Sequence, residues 1–176
     1  MPLTIRTATE VDAPALASVA AVTFPLACPP HTTDEAKVAF IRQWLSEPRF
    51  REYALDSDRV VLLAELDGEP VGYTLLVFGE PSDVDAAAAV SERPTSELSK
   101  CYVLPGHHGA GIAAELMTES LRVARERGAA GIWLGVNEEN GRAQAFYAKH
   151  GFERVGTKHF TVGDRVEDDY VLARGL

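Results

Sequence analysis

Seven segments of this chain either alternate hydrophobic with polar residues or run apolar residues together. Both patterns are typical of β-strands, the first half-buried and the second buried on both faces. Segments 59–66 and 71–79 are joined by the turn sequence DGEP and therefore predict a hairpin. The other predicted strands are 3–9, 96–104, 131–136, 152–163 and 165–174, of which the last two form a closing antiparallel pair.

Apolar residues spaced three and four positions apart predict helices between these strands. Thr9 with Asp12, and Thr32 with Glu35, are each spaced like the capping box that opens a helix. The first helix is predicted to run to about Thr23, where the segment FPLACPP breaks it, and the second contains VAFIRQWL.

Two more helices are predicted in the second half of the chain. One follows a glycine-rich loop and runs to about Arg127, where Gly128 stops it. The other begins after Asn140, a good N-cap residue, and stops at Gly151.

The order of these elements predicts one α/β (α+β) domain over residues 1–176. Its mostly antiparallel sheet of about seven strands is flanked by four helices. One parallel crossover leads from strand 96–104 to strand 131–136. The acidic, alanine-rich segment 80–94 is predicted as a loop in which Ser82 and Asp85 cap one short helix.

Composition and charge narrow the class of protein. The chain has 176 residues, of which 46% are hydrophobic and 24% charged, as in a soluble globular domain. Its net charge of −9 argues against nucleic acid and suits a cationic small substrate, although solubility alone explains the same charge. Cys28 and Cys101 are too few for a disulfide framework and fit the cytoplasm. The apolar stretch 13–28 lacks the charges of a secretory leader and is interrupted by proline, so we expect a core helix and no membrane partner.

Two glycines one residue apart open the third predicted helix, in VLPGHHGAGIAAELM (103–117). The free N–H groups of a first helical turn attract phosphate. The loop satisfies the relaxed dinucleotide fingerprint G-x-G-x-x-A, with Glu138 or Glu139 as the later acid. That fingerprint should be followed by more alternating strands and helices than this chain has. A Walker A loop is excluded because no Lys-Ser or Lys-Thr follows the glycines.

A second motif lies one strand further on, in NGRAQAFYAKHGF (140–152), with the pattern N-x-x-A-x-x-x-Y-x-x-x-G-F. Together with YVLPGHHGAGIA, it resembles the GNAT superfamily of acetyl-CoA-dependent N-acetyltransferases. The predicted element order agrees with that family over nearly the whole chain. The resemblance implies a GNAT-type fold, with acetyl-CoA as acetyl donor wedged between splayed parallel strands 96–104 and 131–136.

The resemblance also implies the cofactor-binding residues. The family's pyrophosphate-binding segment falls on His108, Gly109, Ala110, Gly111, Ile112 and Ala113, where His108 replaces the usual Arg or Gln. Cys101, Tyr102 and Val103 would pair with the pantetheine arm, and a backbone N–H near Val103 would polarise the thioester carbonyl. Asn140 would contact the cofactor, cap its helix, or do both. No metal site is predicted, because the adjacent His107 and His108 would rarely aim at one ion and no third ligand is evident.

Tyr147 is the predicted catalytic acid. In the family the matching tyrosine protonates the departing thiolate, whereas a purely packing role beside Phe146 is the alternative. Many relatives carry the general base on the strand that here contains Gly135. Glu97 is therefore the next candidate for the base, with an ordered water or a merely solvated glutamate as the alternatives.

The acceptor is expected to be an amine, held by variable segments. Phe24 and Pro25 are predicted to wall its slot, although core packing explains Phe24 as well. The ending HFTVGDRVEDDYVLAR resembles the last hairpin of bacterial polyamine acetyltransferases, and its acidic residues suit a cationic acceptor: Asp164, Glu167, Asp168 and Asp169. Three functions stay open: acetylation of a small or polyamine-like amine, acetylation of a protein N-terminus or lysine, and acetyl-CoA-dependent regulation without turnover. We expect a monomer or homodimer.

Overall fold

The seven predicted strands are all present in the structure, a computed structural model that describes residues 2–107 and 111–176. The strands are β1 (Leu3–Thr7), β2 (Arg59–Leu66), β3 (Glu69–Phe78), β4 (Thr95–Val103), β5 (Gly131–Asn137), β6 (Glu153–Val162) and β7 (Arg165–Gly175). The helices in the described ranges are α1 (Ala13–Ala27), α2 (Asp34–Trp44), α3 (Glu47–Leu55), α4 (Val84–Ala89), α5 (Ile112–Glu126) and α6 (Gly141–Lys149).

All seven strands form one sheet, in the order β1-β2-β3-β4-β5-β7-β6. Only β4 and β5 are parallel among the neighbouring pairs. The mixed, mostly antiparallel fold with one parallel crossover is therefore confirmed. Strand β7 lies between β5 and β6, so the last strand of the closing hairpin pairs directly with β5.

The four predicted helices and the short one within 80–94 are all present, and α3 is a further helix among the described residues. The segment after Trp44 was not recognised as helical, yet Ser46 caps α3 by accepting a hydrogen bond from Arg49 N at 3.4 Å. The short helix within 80–94 is present as α4, but Asp83 caps it, by accepting from Asp85 N and Ala86 N at 2.9 and 3.0 Å. Both helices are short, so their apolar spacing is too brief to stand out in the sequence.

Helix α1 continues past its predicted end at Thr23 to Ala27, with Pro25 inside its last turn. Proline removes one backbone donor but is tolerated where tertiary packing holds the turn. Phe24 provides that packing, because its ring stacks on Phe40 with centroids 4.5 Å apart. The helix therefore ends at Ala27, four residues after the end at Thr23 that was predicted from the proline.

The sheet is covered on both faces, as the continuous apolar run in β2 predicts. Val61 and Leu63 pack with α1 and α3, whereas Leu62 and Ala64 pack with the apolar face of α5. Alternate residues of a strand point to opposite faces, so one strand serves both cores. A third cluster joins α4 to Trp133 and Val171.

Residues 10–27 are long and apolar enough to cross a membrane by length and composition alone. In the structure, however, Leu16, Val19, Ala20 and Phe24 are buried against the sheet. This segment is therefore packed as a core helix, as predicted.

Candidate active site

The parallel strands β4 and β5 separate soon after they begin to pair. Within the described residues their pairing covers only Thr95–Glu97 of β4 and Gly131–Trp133 of β5. The register between β3 and β4 shifts at Leu75/Leu76, which leaves Ser99 as the extra residue of a β-bulge. A bulge bends and twists its strand, and this one turns β4 away from β5.

A cavity of about 730 Å³ occupies the gap between the separated strands. It is bordered by β4 and β5, by the first turn of α5, by α6, by the end of α1 and by the closing hairpin. It lies in the wedge predicted for a linear cofactor, and it brings together most of the predicted site residues.

The first turn of α5 forms one end of this cavity. Gly111 is the N-cap of α5 and has φ of +75°, a left-handed conformation that favours glycine. Gly111 and Ala113 line the cavity, whereas the Ile112 side chain is buried in the core at 1% exposure. The predicted positions His108, Gly109 and Ala110 lie outside the described residues. Among the described residues other than its chain neighbours, no atom lies within 4 Å of a Cβ added to Gly111, which suits the approach of a phosphate group.

Helix α6 brings Asn140 and Tyr147 to the same cavity. Asn140 Oδ1 accepts a hydrogen bond from Ala143 N at 3.1 Å, so the predicted N-cap is confirmed. The Tyr147 ring packs against Phe146 and Phe152, with centroids 5.5 and 5.9 Å away. Burial, together with the nearby Cys101 and Tyr102, raises the pKa of Tyr147 well above its ordinary value. Tyr147 is therefore a protonated phenol at neutral pH and can donate a proton.

The predicted β4 residues Cys101, Tyr102 and Val103 also line the cavity. Burial raises the pKa of Cys101 to about 12. The other cysteine at the cavity, Cys28, has its pKa raised to about 11, chiefly by burial. Thiolate is the nucleophilic form of cysteine, so neither side chain is suited to carry an acetyl group at neutral pH.

The opposite half of the cavity combines aromatic rings with charged groups. Phe24 and Phe160 line it and both contact Phe40, at centroid distances of 4.5 and 5.5 Å. Phe24 thus both packs the core and borders the cavity, whereas Pro25 is not among the lining residues. Glu97 lines the cavity, and its pKa is raised by burial despite the nearby Lys100 and Lys158.

Lys100 and Lys158 also line the cavity and have no role predicted from the sequence, whereas Asp169 is one of the acids predicted to suit a cationic acceptor. Asp169 is 6% exposed, and Lys158 Nζ lies 3.9 Å from its Oδ2. The alternation of β7 separates its acids, because Glu167 and Asp169 face inward while Asp168 faces solvent. The alternation along β7 is visible in the sequence and could have identified Asp169 as an inward-facing acid.

Burial raises the pKa of Asp169 from 3.8 to about 6, with Lys158 opposing the shift. The folded chain then holds this proton more tightly than the unfolded chain, so ionisation between pH 4 and 6 lowers the free energy of unfolding. The Asp169→Asn variant lacks this pH-dependent contribution to the free energy of unfolding. We expect the variant's stability relative to the parent to increase by about 2 kcal/mol from pH 4 to 7, measured by urea unfolding. A difference that stays constant with pH would contradict it.

Comparison with known proteins decides the family. A model of the acetyltransferase (GNAT) family matches residues 26–152. The chain belongs to this family. An uncharacterized N-acetyltransferase of Mycobacterium tuberculosis is 48% identical to this GNAT chain over 165 residues, which cover 94% of this chain and 98% of the relative. The resemblance found in the sequence is thereby confirmed.

Two solved structures agree with the GNAT assignment. The ribosomal-protein-alanine N-acetyltransferase of Brucella melitensis is 31% identical, with a TM-score of 0.66 over 98% of this chain and 99% of that protein. The PaiA N-acetyltransferase of Thermoplasma acidophilum, solved with coenzyme A, is 20% identical, and its TM-score of 0.79 over both full chains shows a shared fold. This protein is an N-acetyltransferase, and acetyl-CoA is the donor that its family uses.

Proposed function

We propose that this GNAT enzyme transfers the acetyl group of acetyl-CoA directly to a primary amine, most favourably a small or polyamine-like one. The observation that carries this proposal is the arrangement of one continuous cavity. Its lining combines a helix N-terminus and the Tyr147 phenol, here called the donor half, with the carboxylates of Glu97, Glu167 and Asp169, here called the acceptor half.

The donor half fits acetyl-CoA. Gly111 and Ala113 begin a helix whose free N–H groups suit the pyrophosphate, and Cys101 to Val103 lie along the gap where a pantetheine arm would run as an added strand. Acetyl-CoA supplies an activated acetyl thioester. Tyr147 would give its proton to the sulfur as the thiolate leaves.

Direct transfer is favoured over an acetylated enzyme because both cysteines at the cavity have raised pKa values. The amine then has to lose a proton before it attacks, since an alkyl ammonium has no free electron pair. The carboxylates of the acceptor half suit that step, and Glu97 remains the base proposed from the sequence. They would also attract the cationic amine.

A protein N-terminus is the second candidate acceptor. It is favoured by the 31% identical relative, whose name describes acetylation of a ribosomal-protein alanine. A peptide amine and a small amine need the same chemistry, so the distinction lies in how much of the acceptor the cavity must admit.

An acceptor panel tests the proposal. We expect release of free coenzyme A thiol from acetyl-CoA with spermidine and small primary amines, and at least tenfold lower kcat/KM with a peptide that begins with alanine. Phe160→Ala removes one aromatic ring from the wall of the cavity, so this variant should show a weaker preference for small amines over the peptide. Preference for the peptide would replace the first candidate with the second, and no thiol release with any amine of the panel would contradict both.

A further inference from the structure

The carboxylate of Asp169, on the neighbouring strand β7, lies beside the position that a side chain on residue 135 would have. A Cβ added to Gly135 would lie 3.3 Å from Asp169 Oδ2 and 3.3 Å from Lys158 Cδ. Asp169 pairs with Asn137 across the β5–β7 ladder, two residues beyond Gly135. Its side chain therefore reaches diagonally along β5 to the backbone that glycine leaves open.

The Asp169 carboxylate lacks the partners that a structural carboxylate would have. Its Oδ1 is buried and has no hydrogen-bond partner among the described residues. Its Oδ2 faces Lys158 Nζ at 3.9 Å, which is an ion-pair distance but too long for a hydrogen bond. A buried polar atom without a partner is costly, so an ammonium group entering the cavity would supply a donor that the fold does not.

Asp169 and Tyr147 approach the cavity from opposite faces of the sheet. Leu134 and Val136 of β5 pack in the core beneath α5, the same core that Tyr147 contacts. Gly135, between them, faces the other side, as do Trp133 and the β7 residue Val171. An amine that reaches the gap beside Gly135 would thus meet the acetyl carbon from one side while the sulfur leaves toward Tyr147 on the other.

Glu97 lies on the same face of the sheet as Asp169, but nearer to the start of β4 and β5. Its Cα is in register with Trp133, in the short stretch where β4 and β5 still pair. Asp169 lies beyond that stretch, where the strands have parted and the cavity is open between them. Of the two carboxylates, Asp169 is the one beside the gap itself.

We propose that Asp169 is the general base of this enzyme, taking over from β7 the role that a carboxylate on β5 would have if residue 135 had a side chain. The inference rests on the proposed function and deepens it. Glu97 then serves to hold the cationic acceptor rather than to deprotonate it.

The protons and bonds of this step balance. The acceptor ammonium gives one proton to Asp169 and becomes a free amine. Its nitrogen forms a bond to the acetyl carbon, and the carbon–sulfur bond breaks as Tyr147 gives its proton to the sulfur. The second proton of the nitrogen passes to solvent, as does the proton on Asp169, and Tyr147 regains one proton from solvent, so one proton is produced per turnover.

The charges around Asp169 suit a base that works near neutral pH. Lys158 on β6 and Lys100 on β4 lower its pKa, Glu167 and Asp168 on β7 raise it, and burial outweighs the others to give about 6. Tyr102 on β4 also faces this carboxylate. A base of that pKa is ionised at pH 7 yet still has appreciable proton affinity.

The test compares pH–rate profiles of the parent, Asp169→Asn and Glu97→Gln, with acetyl-CoA and spermidine. For the parent we expect kcat/KM to fall below pH of about 6. Asp169→Asn should lose about 10²-fold in kcat/KM at pH 7 and regain activity only as the amine approaches its own pKa of about 10. Glu97→Gln, which removes one charge from the same face, should keep the fall below pH 6 and change mainly KM.

Several outcomes would overturn the assignment. If Asp169→Asn keeps the parent profile, or if Glu97→Gln alone loses the acidic fall, Asp169 is not the base, while the acetyltransferase activity stands. If the parent releases no thiol with any amine of the panel, the proposed function fails as well. A ¹³C NMR titration of the parent's aspartate carboxyls, with Asp169→Asn to assign the signal, gives an answer independent of turnover and of the variant's activity. An Asp169 signal titrating near pH 4 would contradict the proposal, and one near pH 6 would support it.

Discussion

Replacing Tyr147 with phenylalanine is expected to lower kcat by about 10²-fold, the contribution that a positioned general acid typically makes. The affinity for acetyl-CoA should change little, because the ring and its contacts with Phe146 and Phe152 remain. The hydroxyl is the only part removed. Steady-state kinetics with saturating spermidine and a direct binding measurement with coenzyme A would separate the two effects.

Tyr73→Phe is the matched control, since Tyr73 is a fully buried phenol that is not among the described residues lining the cavity. Its side chain packs in the core under α1 and α3, on the other face from Tyr147. We expect less than about a threefold change in kcat for this variant. If the two variants are equally impaired, or if Tyr147→Phe keeps the parent kcat, Tyr147 has only a packing role.

The second large effect is expected for Gly111→Val, which should weaken acetyl-CoA binding by about 10²-fold or more. The φ of +75° at Gly111 is costly for a β-branched residue, by about 1–3 kcal/mol, so the helix start would rearrange. Any valine that does fit would fill the space where a pyrophosphate has to approach. Isothermal titration with acetyl-CoA measures the loss.

Gly68→Val separates backbone strain from ligand contact. Gly68 has φ of +82° in the β2–β3 turn, and apart from its chain neighbours no described residue has an atom within 4 Å of an added Cβ. It is not among the residues that line the cavity. This variant should lose stability, as Gly111→Val does, but keep the parent affinity for acetyl-CoA. Equal affinity in parent and Gly111→Val would show that the start of α5 does not bind the donor.

The elements that the sequence predicts well are those with a local signature. Alternation or a continuous apolar run identifies each of the seven strands, and the hydrogen bond from Ala143 N to Asn140 Oδ1 shows the cap that the residue type indicates. The end of α1 was harder, because Pro25 is a strong local signal that the Phe24–Phe40 stacking overrides. A contact between two helices cannot be read from either segment alone.

The acceptor half of the site shows the same limit more clearly. Gly135 is visible in the sequence as a missing carboxylate, but nothing local to it indicates what replaces the side chain. That follows from the strand order, in which β7 rather than β6 lies beside β5. Asp169 comes to Gly135 only through this insertion, thirty-four positions further along the printed chain.

The three residue pairs that join β4 to β5 also bear on how long the protein survives in a cell. They make the sheet nearly two smaller sheets, β1 to β4 and β5 to β7, joined at a narrow seam. A donor that lies in the gap and pairs with its edges adds main-chain bonds at the place where the folded chain has fewest. At a hundred times its dissociation constant, such a ligand stabilises the fold by about 2.7 kcal/mol. The resistance of this enzyme to proteases would then rise and fall with the supply of acetyl-CoA, so its abundance would follow the metabolic state before any acceptor arrives.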